Sequence, residues 1–492
     1  MNRQPLTSGF KGILLCRSMC WMISIAAYLA FSVIAKLEAA ESAPLNLLII
    51  QTDEHHYGTL GCYGGTIVKT PNIDWIARQG ARCDSFYATT PVCSPSRAAL
   101  VTGRYPQKTP VVNNNIPLDD SAVTFAELLR RKGYQTGFAG KWHLDGSGKP
   151  QWAPKRKFGF TDNRFMFNRG HWKKFSDTAS GPKVASHNAR GMPNYDVNNA
   201  DDKSFSTDWL CDKAADFIHK NANQPFCYFL SLPDPHGPNT VRAPYDTMYN
   251  DIEIPIPTTL NLPIAQIPAW GKSAGVTAAQ LRNLMPKYYG MVKCIDDNVG
   301  KLIKVLRKEN VIDRTLIVFT SDHGDLCGEH GRLNKGVPYE GSARIPFLIY
   351  APGKIKAGTV ISEALSCVDF LPTAMSLLDV DIDHDVDGRN ASRLLMQSQT
   401  DWDDVAFLRS TPNSPWICAV TKQYKLVYSS VEEPWLIDVQ NDPNEVTNLF
   451  TQKEHAARIK ELTAKLFDYC RAHQDEHVRI PSIQQQIKAV LN

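Results

Sequence analysis

A cysteine, two serines and an arginine stand close together in the segment TTPVCSPSRAALVTGRYP (89–106), as Cys93, Ser94, Ser96 and Arg97. Ser94 suits an N-cap, Pro95 the first helical position and Gly103 the stop, which predicts a short helix with Cys93 at its N-terminus. Unpaired backbone N–H groups and the positive end of the helix dipole favour an anion there, and Arg97 adds a cation one turn on. The stretch reads as an anion-binding site that holds a nucleophile.

Further charged groups follow four apolar runs: Asp53 and Glu54, Lys141 and His143, Asp234 and His236, and Asp322 and His323. Any one pair is an ordinary loop feature. Carboxylates, imidazoles and cations gathered at four such positions suit a hard, oxygen-bound metal facing an anionic substrate.

The elements that must bring these groups together are short. LNLLIIQ (45–51), YQTGFAG (134–140), PFCYFLSL (225–232) and TLIVFTS (315–321) read as buried strands. TPNIDWIARQG (70–80) reads as a helix with Thr70 as cap and Gly80 as stop, and Leu281 to Lys308 carries apolar residues at helical spacing. Strands alternating with helices predict an α/β fold with a largely parallel sheet, in which sites gather outside the carboxyl ends of the strands. The turn-rich DIDHDVDGRN (381–390) separates this part from a second, in which a helix from His455 to Ala472 would pack through Ile459, Leu462 and Leu466.

The chain has 492 residues, 43% of them hydrophobic, enough for one large domain and a smaller one. Arg3, Lys11 and Arg17 precede the apolar run from Met19 to Ala35, with small residues for cleavage near Ala39, so residues 1–39 read as a secretory signal peptide. A single membrane anchor is the alternative for that run; no other segment could span a bilayer, and no stable membrane partner is expected. Removing it takes four basic residues and one acidic residue and leaves the remainder close to neutral, without the basic surface that nucleic acid requires. Cys16 and Cys20 lie in the signal, and the other ten cysteines are scattered without a C-x-x-C pair, unlike a disulfide scaffold or a zinc site.

CSPSRAALVTGRYP matches the C-x-P-S-R-x-x-x-x-T-G signature, and the chain resembles the type I sulfatases of the alkaline phosphatase superfamily. TDEHHYGTLGCYG, GFAGKWHL, PDPHGP, FTSDHGDLCGEHG and NKGVPYEGSARIP resemble the family's other motifs in order and spacing, and YKLVY with PWLIDVQNDPNEVTNL resembles its C-terminal strand pair. The resemblance implies a large alkaline-phosphatase-like catalytic domain (40–385) with a mainly parallel sheet flanked by helices. A smaller C-terminal α+β domain (386–492) with an antiparallel sheet would follow it.

It also implies that a maturation enzyme converts Cys93 to formylglycine, and that Asp53, Glu54, Asp322 and His323 hold one calcium ion together with the modified Cys93. Glu54 departs from the family's usual Asp or Gln, and the Asp322-His323 pair resembles the branch with iduronate-type and choline sulfatases. Without a thiolate the set is hard and oxygen-dominated, which suits calcium or magnesium better than zinc or copper.

By the same resemblance, one hydroxyl of the aldehyde hydrate attacks sulfur and the other expels sulfate. Arg97, Lys141 and Lys335 hold the sulfate oxygens, His236 protonates the leaving alcohol, and His143 takes the proton from the second hydroxyl. Secretion and the tally of Trp and Tyr favour a sulfated carbohydrate, ahead of an aryl or choline sulfate; Arg169, His171, Trp172, Arg242, Arg409 and Trp416 are candidates for its pocket. The alternatives are a phosphate ester or phosphonate hydrolase of the same superfamily, and an inactive sugar-binding relative.

Overall fold

Apolar side chains on both sides of a strand require cover on both faces of its sheet, and Leu47 to Ile50 are buried throughout. In the computed structural model, which describes residues 1–2, 44–273, 275–398 and 401–492, this run forms the strand Asn46–Asp53 near the middle of an eight-stranded sheet. The sheet order is Thr359–Ile361, Ala81–Cys83, Phe347–Tyr350, Thr315–Ser321, Asn46–Asp53, Phe226–Pro235, Gln135–Lys141 and Asp162–Phe167. Only Phe347–Tyr350 runs against its neighbours. The proposed signal segment falls on residues outside the described ones, and among the described residues no helix is long and apolar enough to cross a membrane.

Alternate side chains of the central strands point to opposite layers. Leu48, Ile50, Tyr228, Leu230, Ile317 and Phe319 join a core with the helices Ser206–Asn221 and Ala278–Lys308. The longer helix starts in a capping box between Thr277 and Gln280, the device that satisfies its first unpaired N–H groups. On the other face Phe229 meets Phe125 and Phe138, and Phe125 meets Phe370 of the helix Phe370–Leu377. The result is helix, sheet, helix, as the alternating pattern predicts.

A second sheet of four antiparallel strands, Ala406–Arg409, Trp416–Val420, Tyr424–Ser429 and Trp435–Asp438, contains the pair expected from YKLVY and PWLID. The helix Ala456–Ala472 buries Ile459, Leu462 and Leu466 and packs on the two middle strands. Both sheets belong to one compact unit, Asn46–Asn492. A buried cation joins them: Lys425 Nζ lies 2.8 Å from Glu340 and 2.6 Å from Glu445, and donates to the Pro338 carbonyl at 2.7 Å. Burial and the facing Glu340 push Glu445 up to about 7 in spite of Lys425, which leaves Glu340 as the ionised partner of the lysine.

Parallel register puts the ends of the central strands side by side, with Thr52 opposite Ser321, Asp53 opposite Pro235 and Gly140 opposite Ser231. Gly140 is required there. Its φ is 106°, and a Cβ on it would stand 1.7 Å from the Ser231 carbonyl oxygen. Gly140→Ala is expected to cost at least about 3 kcal/mol of unfolding free energy. Gly133→Ala, in a similar left-handed turn with open space around it, should cost about 1–2 kcal/mol. Equal losses in denaturant titrations would contradict the close-approach argument.

Candidate active site

Cys93 is the first residue of the helix Cys93–Thr102, whose N-cap position is Val92 and whose C-cap is Gly103 at φ 64°. Ser94 therefore does not cap the helix, as its residue type suggests; it lies in the first turn, where its hydroxyl donates to the His143 carbonyl at 2.7 Å. Its backbone N–H donates to Asn114 Oδ1 at 2.9 Å. Thr70 likewise stands at the N-cap of Pro71–Gln79 without a side-chain cap bond, its hydroxyl serving Gly61 and Asp74 instead. In both cases other hydrogen-bond partners won over the backbone cap.

The helix carries Arg97 into the layer beneath Cys93. All three guanidinium nitrogens are engaged: Nε with Asp322 at 2.9 Å, one terminal nitrogen with Asp53 at 3.0 Å, and the other with the Lys141 carbonyl at 2.8 Å and Ser231 Oγ at 2.7 Å. The arginine thus faces the carboxylates at the strand ends and not the cavity, contrary to the expectation that it grips sulfate oxygens. Lys141 Nζ lies 2.5 Å from Asp53, 2.7 Å from His171 Nε2 and 3.8 Å from Cys93 Sγ. Cys93 Sγ is 3.1 Å from His323 Nε2 and 3.9 Å from Asp53.

These neighbours set the charge states. Burial opposes ionisation of the Cys93 thiol, yet Lys141, Lys335 and His323 hold it well below the ordinary thiol range. Burial likewise opposes the charge on Asp53, and Lys141, His236 and Arg97 overcome it. Asp322 is raised by burial and by the charge of Asp53 beside it. Burial disfavours a proton on His323, but Asp322 and Cys93 draw one on and raise it to about 9. His143 is pushed down to about 4 by burial despite a side-chain hydrogen bond with Cys93, and its Nε2 meets Asn115 Oδ1 at 3.2 Å.

Asp53, Cys93, Asp322 and His323 each offer a ligand atom, all within 4.8 Å of one another, and all four residues are buried. The donor set fits a divalent cation: two carboxylates supply hard oxygens, and the proton that His323 holds marks a position where positive charge is favoured. Glu54 lies outside this group. Its φ is 60°, and its carboxylate reaches Lys335 at 2.9 Å and His236 Nε2 at 3.0 Å. Burial would raise it, but those two partners bring it down to about 2. His236 stacks on His171 with centroids 3.4 Å apart and also meets Lys335 at 2.9 Å.

A cavity of about 190 Å³ opens on Cys93 and is lined by Lys141, His143, His171, His236 and Lys335 among others. The geometry is that of a buried nucleophile position flanked by a cation-binding acidic cluster and by lysines and histidines that face an anion. The sequence model of the Sulfatase family matches residues 45–380. The chain belongs to the sulfatase family.

A second model, N-sulphoglucosamine sulphohydrolase, C-terminal, matches residues 328–472 of this sulfatase. It is 30% identical to an ulvan-active sulfatase of Formosa agariphila over 86% of this chain and 80% of the relative. To an N-acetylglucosamine-6-O-sulfatase of Bacteroides thetaiotaomicron it is 27% identical over 91% and 90%. Its fold matches a protein solved with its substrate D-glucosamine-2-N,6-O-disulfate at a TM-score of 0.72 and 24% identity, covering 88% of this chain and 99% of the other.

Cys93, Arg97, Lys141, His143, His236, Lys335, Asp53, Glu54, Asp322 and His323 are thus all in or directly beneath one site of the sulfatase. Lys335 does not form the surface ion pair with Glu340 that its spacing allows, since Glu340 pairs with Lys425. Asp234 is withdrawn from the cavity by Lys173 at 2.6 Å and Thr207 at 2.5 Å. Of the pocket candidates, Arg169 and His171 both line the cavity, and His171 also meets Lys141. Trp172 is buried, bonded to the Arg169 carbonyl at 2.9 Å.

Arg242 is tied to Asp208 at 2.7 Å, and Arg409 lies buried near Asp475 at 3.4 Å. Trp416 is a buried anchor for the Gly336 carbonyl at 3.3 Å, next to Lys335. Asn114, Asn115, Lys149 and Tyr195 also line the cavity; no periodicity or motif spacing marks them in the sequence. Arg97→Ala should leave Asp53 and Asp322 without their shared cation and lower the stability of metal-free protein by about 3–5 kcal/mol. A loss under about 1 kcal/mol in denaturant unfolding with chelator present would contradict that role.

Proposed function

We propose that the protein hydrolyses sulfate monoesters on a sulfated carbohydrate, with Cys93 converted to formylglycine by a maturation enzyme and one calcium ion held at the acidic cluster. The observation that carries this reading is the Cys93 side chain, held at the head of its helix beside His323 and Lys141 and facing a cavity whose lining offers cations and imidazoles. As the aldehyde hydrate, residue 93 supplies a hydroxyl for attack on sulfur and a second hydroxyl whose deprotonation releases sulfate. Asp53, Asp322 and His323 would hold calcium together with residue 93, and the ion supplies positive charge for the sulfate oxygens. The sugar preference rests on the relatives, which include enzymes named for N-acetylglucosamine-6-O-sulfate and ulvan.

The chain's own groups divide the remaining work. Lys141 and Lys335 stand at the cavity wall, each paired with one buried carboxylate, and their ammonium charges are turned to the sulfate oxygens. His236 Nδ1 faces the Gly237 carbonyl at 2.9 Å, which leaves Nε2 toward Lys335, Glu54 and the departing alcohol, the geometry for a proton donor. His143 is kept neutral by burial and lies within hydrogen-bond reach of residue 93, as the acceptor of the hydroxyl proton requires. Glu54 orients Lys335 and His236. Arg97 fixes Asp53 and Asp322. We further read residues 1–39 as a signal for export to the periplasm or the exterior, residues 40–385 as the catalytic domain and 386–492 as its C-terminal companion, without a nucleic-acid partner.

Two measurements check this. kcat/KM for sulfated monosaccharides and aryl sulfates should exceed that for the matching phosphate esters by at least about tenfold, or about 1.4 kcal/mol; the reverse order would make the protein a phosphate ester hydrolase. In calorimetric titration of chelator-stripped protein, Asp322→Ala should abolish calcium binding, while Glu54→Gln should weaken it by less than about tenfold. Stoichiometric zinc without calcium in the purified active protein would contradict the metal assignment.

A further inference from the structure

The cavity over Cys93 has an unbalanced charge inventory. Its charged lining includes Lys141, Lys149, Arg169 and Lys335, and no aspartate or glutamate lines it. Lys141 and Lys335 are answered from behind by Asp53 and Glu54 and stand beside the nucleophile position. Lys149 and Arg169 have no carboxylate within ion-pair distance among the described residues. The Lys149 ammonium sits over the rings of Trp172 and Tyr195, 5.3 and 5.0 Å from their centroids. Arg169 uses one terminal nitrogen on the Ser147 carbonyl at 3.2 Å, which leaves most of its donors uncommitted.

Both cations are presented by a fixed backbone. Asn168, fully buried, donates to the Gly146 and Gly148 carbonyls at 3.0 and 3.1 Å and accepts from the Asp145 N–H at 2.9 Å. Its own N–H donates to the Pro150 carbonyl at 2.8 Å. The segment that carries Lys149 is thereby tied to the segment that carries Arg169. Such pre-organisation lowers the entropy cost of using both groups together on one ligand.

A sulfate monoester has a single negative charge at neutral pH, and Lys141 and Lys335 already serve it. Two further unpaired cations in the same small cavity are surplus to that group. We propose that Lys149 and Arg169 form a subsite for a second anionic group, so that the substrate is a sugar bearing a further sulfate or a carboxylate close to the sulfate ester that is cleaved. The proposal rests on the sulfatase reading above and narrows its substrate class.

The test compares kcat/KM of the mature enzyme on three probes that share one sulfate ester: a hexosamine monosulfate, the same sugar with a second sulfate, and a disaccharide with a neighbouring uronate. At least one doubly anionic probe should be preferred by about tenfold or more, and the one preferred tells sulfate from carboxylate. Lys149→Gln and Arg169→Gln should each cut that preference about tenfold, mainly through KM, and added salt should erode it further. Turnover without any preference, or an equal loss on all three probes in the variants, would overturn the subsite alone. Failure to turn over any sulfate ester, aryl sulfates included, would overturn the sulfatase reading and the subsite together.

Discussion

The site depends on one buried interaction, the guanidinium of Arg97 between Asp53 and Asp322. Two carboxylates from adjacent parallel strands cannot be held side by side in a dry interior unless a cation sits with them. Arg97 supplies that charge in a planar fork that bonds both acids and the backbone of a third strand end at Lys141. The fork leaves the other oxygen of each acid to different partners: Asp53 Oδ1 faces Cys93 Sγ at 3.9 Å, while Asp322 Oδ1 accepts from the Glu54 and His323 backbone N–H groups at 3.2 and 2.9 Å. His323 Nε2 stands 3.8 Å from Asp53 Oδ1 and 3.5 Å from Asp322 Oδ1, on the side opposite the arginine contacts. Because the same helix starts at Cys93, one rigid element places both that side chain and the guanidinium that holds the two acids.

A second set of contacts organises the opposite wall. Glu54, turned out of the acidic cluster by its left-handed backbone, binds Lys335 and His236 together, and His236 is braced by His171. The loop that carries Lys335 is anchored from the small sheet through Trp416 on Gly336 and Lys425 on Pro338, Glu340 and Glu445. That explains why buried charged and aromatic residues appear in a sheet remote in sequence from the chemistry: they position one lysine.

The strands and long helices were legible because their physics is local: runs such as TLIVFTS can only be buried, and Leu281 to Lys308 repeats at helical spacing. The chemistry-bearing residues at strand ends were legible for the same reason, since parallel strands collect their carboxyl ends on one edge. Directions of side chains were not. Arg97 turns inward, Glu54 turns toward Lys335, and Ser94 gives up its cap for His143, each through a partner more than forty residues away in sequence. Residue type alone makes Trp416, Arg242 and Arg409 pocket candidates; Trp416 and Arg409 are instead buried, and Arg242 is held by Asp208. Lys149 and Tyr195 carry no signature, because a loop that folds over a cavity has no period.

The central claim is that residue 93 acts as a formylglycine on sulfate esters. The most direct measurement is peptide mass spectrometry across Cys93 on protein from a host with the maturation enzyme, taken alongside sulfate release from the same samples. Activity should rise in proportion to the fraction carrying the aldehyde, and Cys93→Ala should be folded and inactive. Full sulfatase activity from protein in which residue 93 is entirely unmodified cysteine would contradict the account.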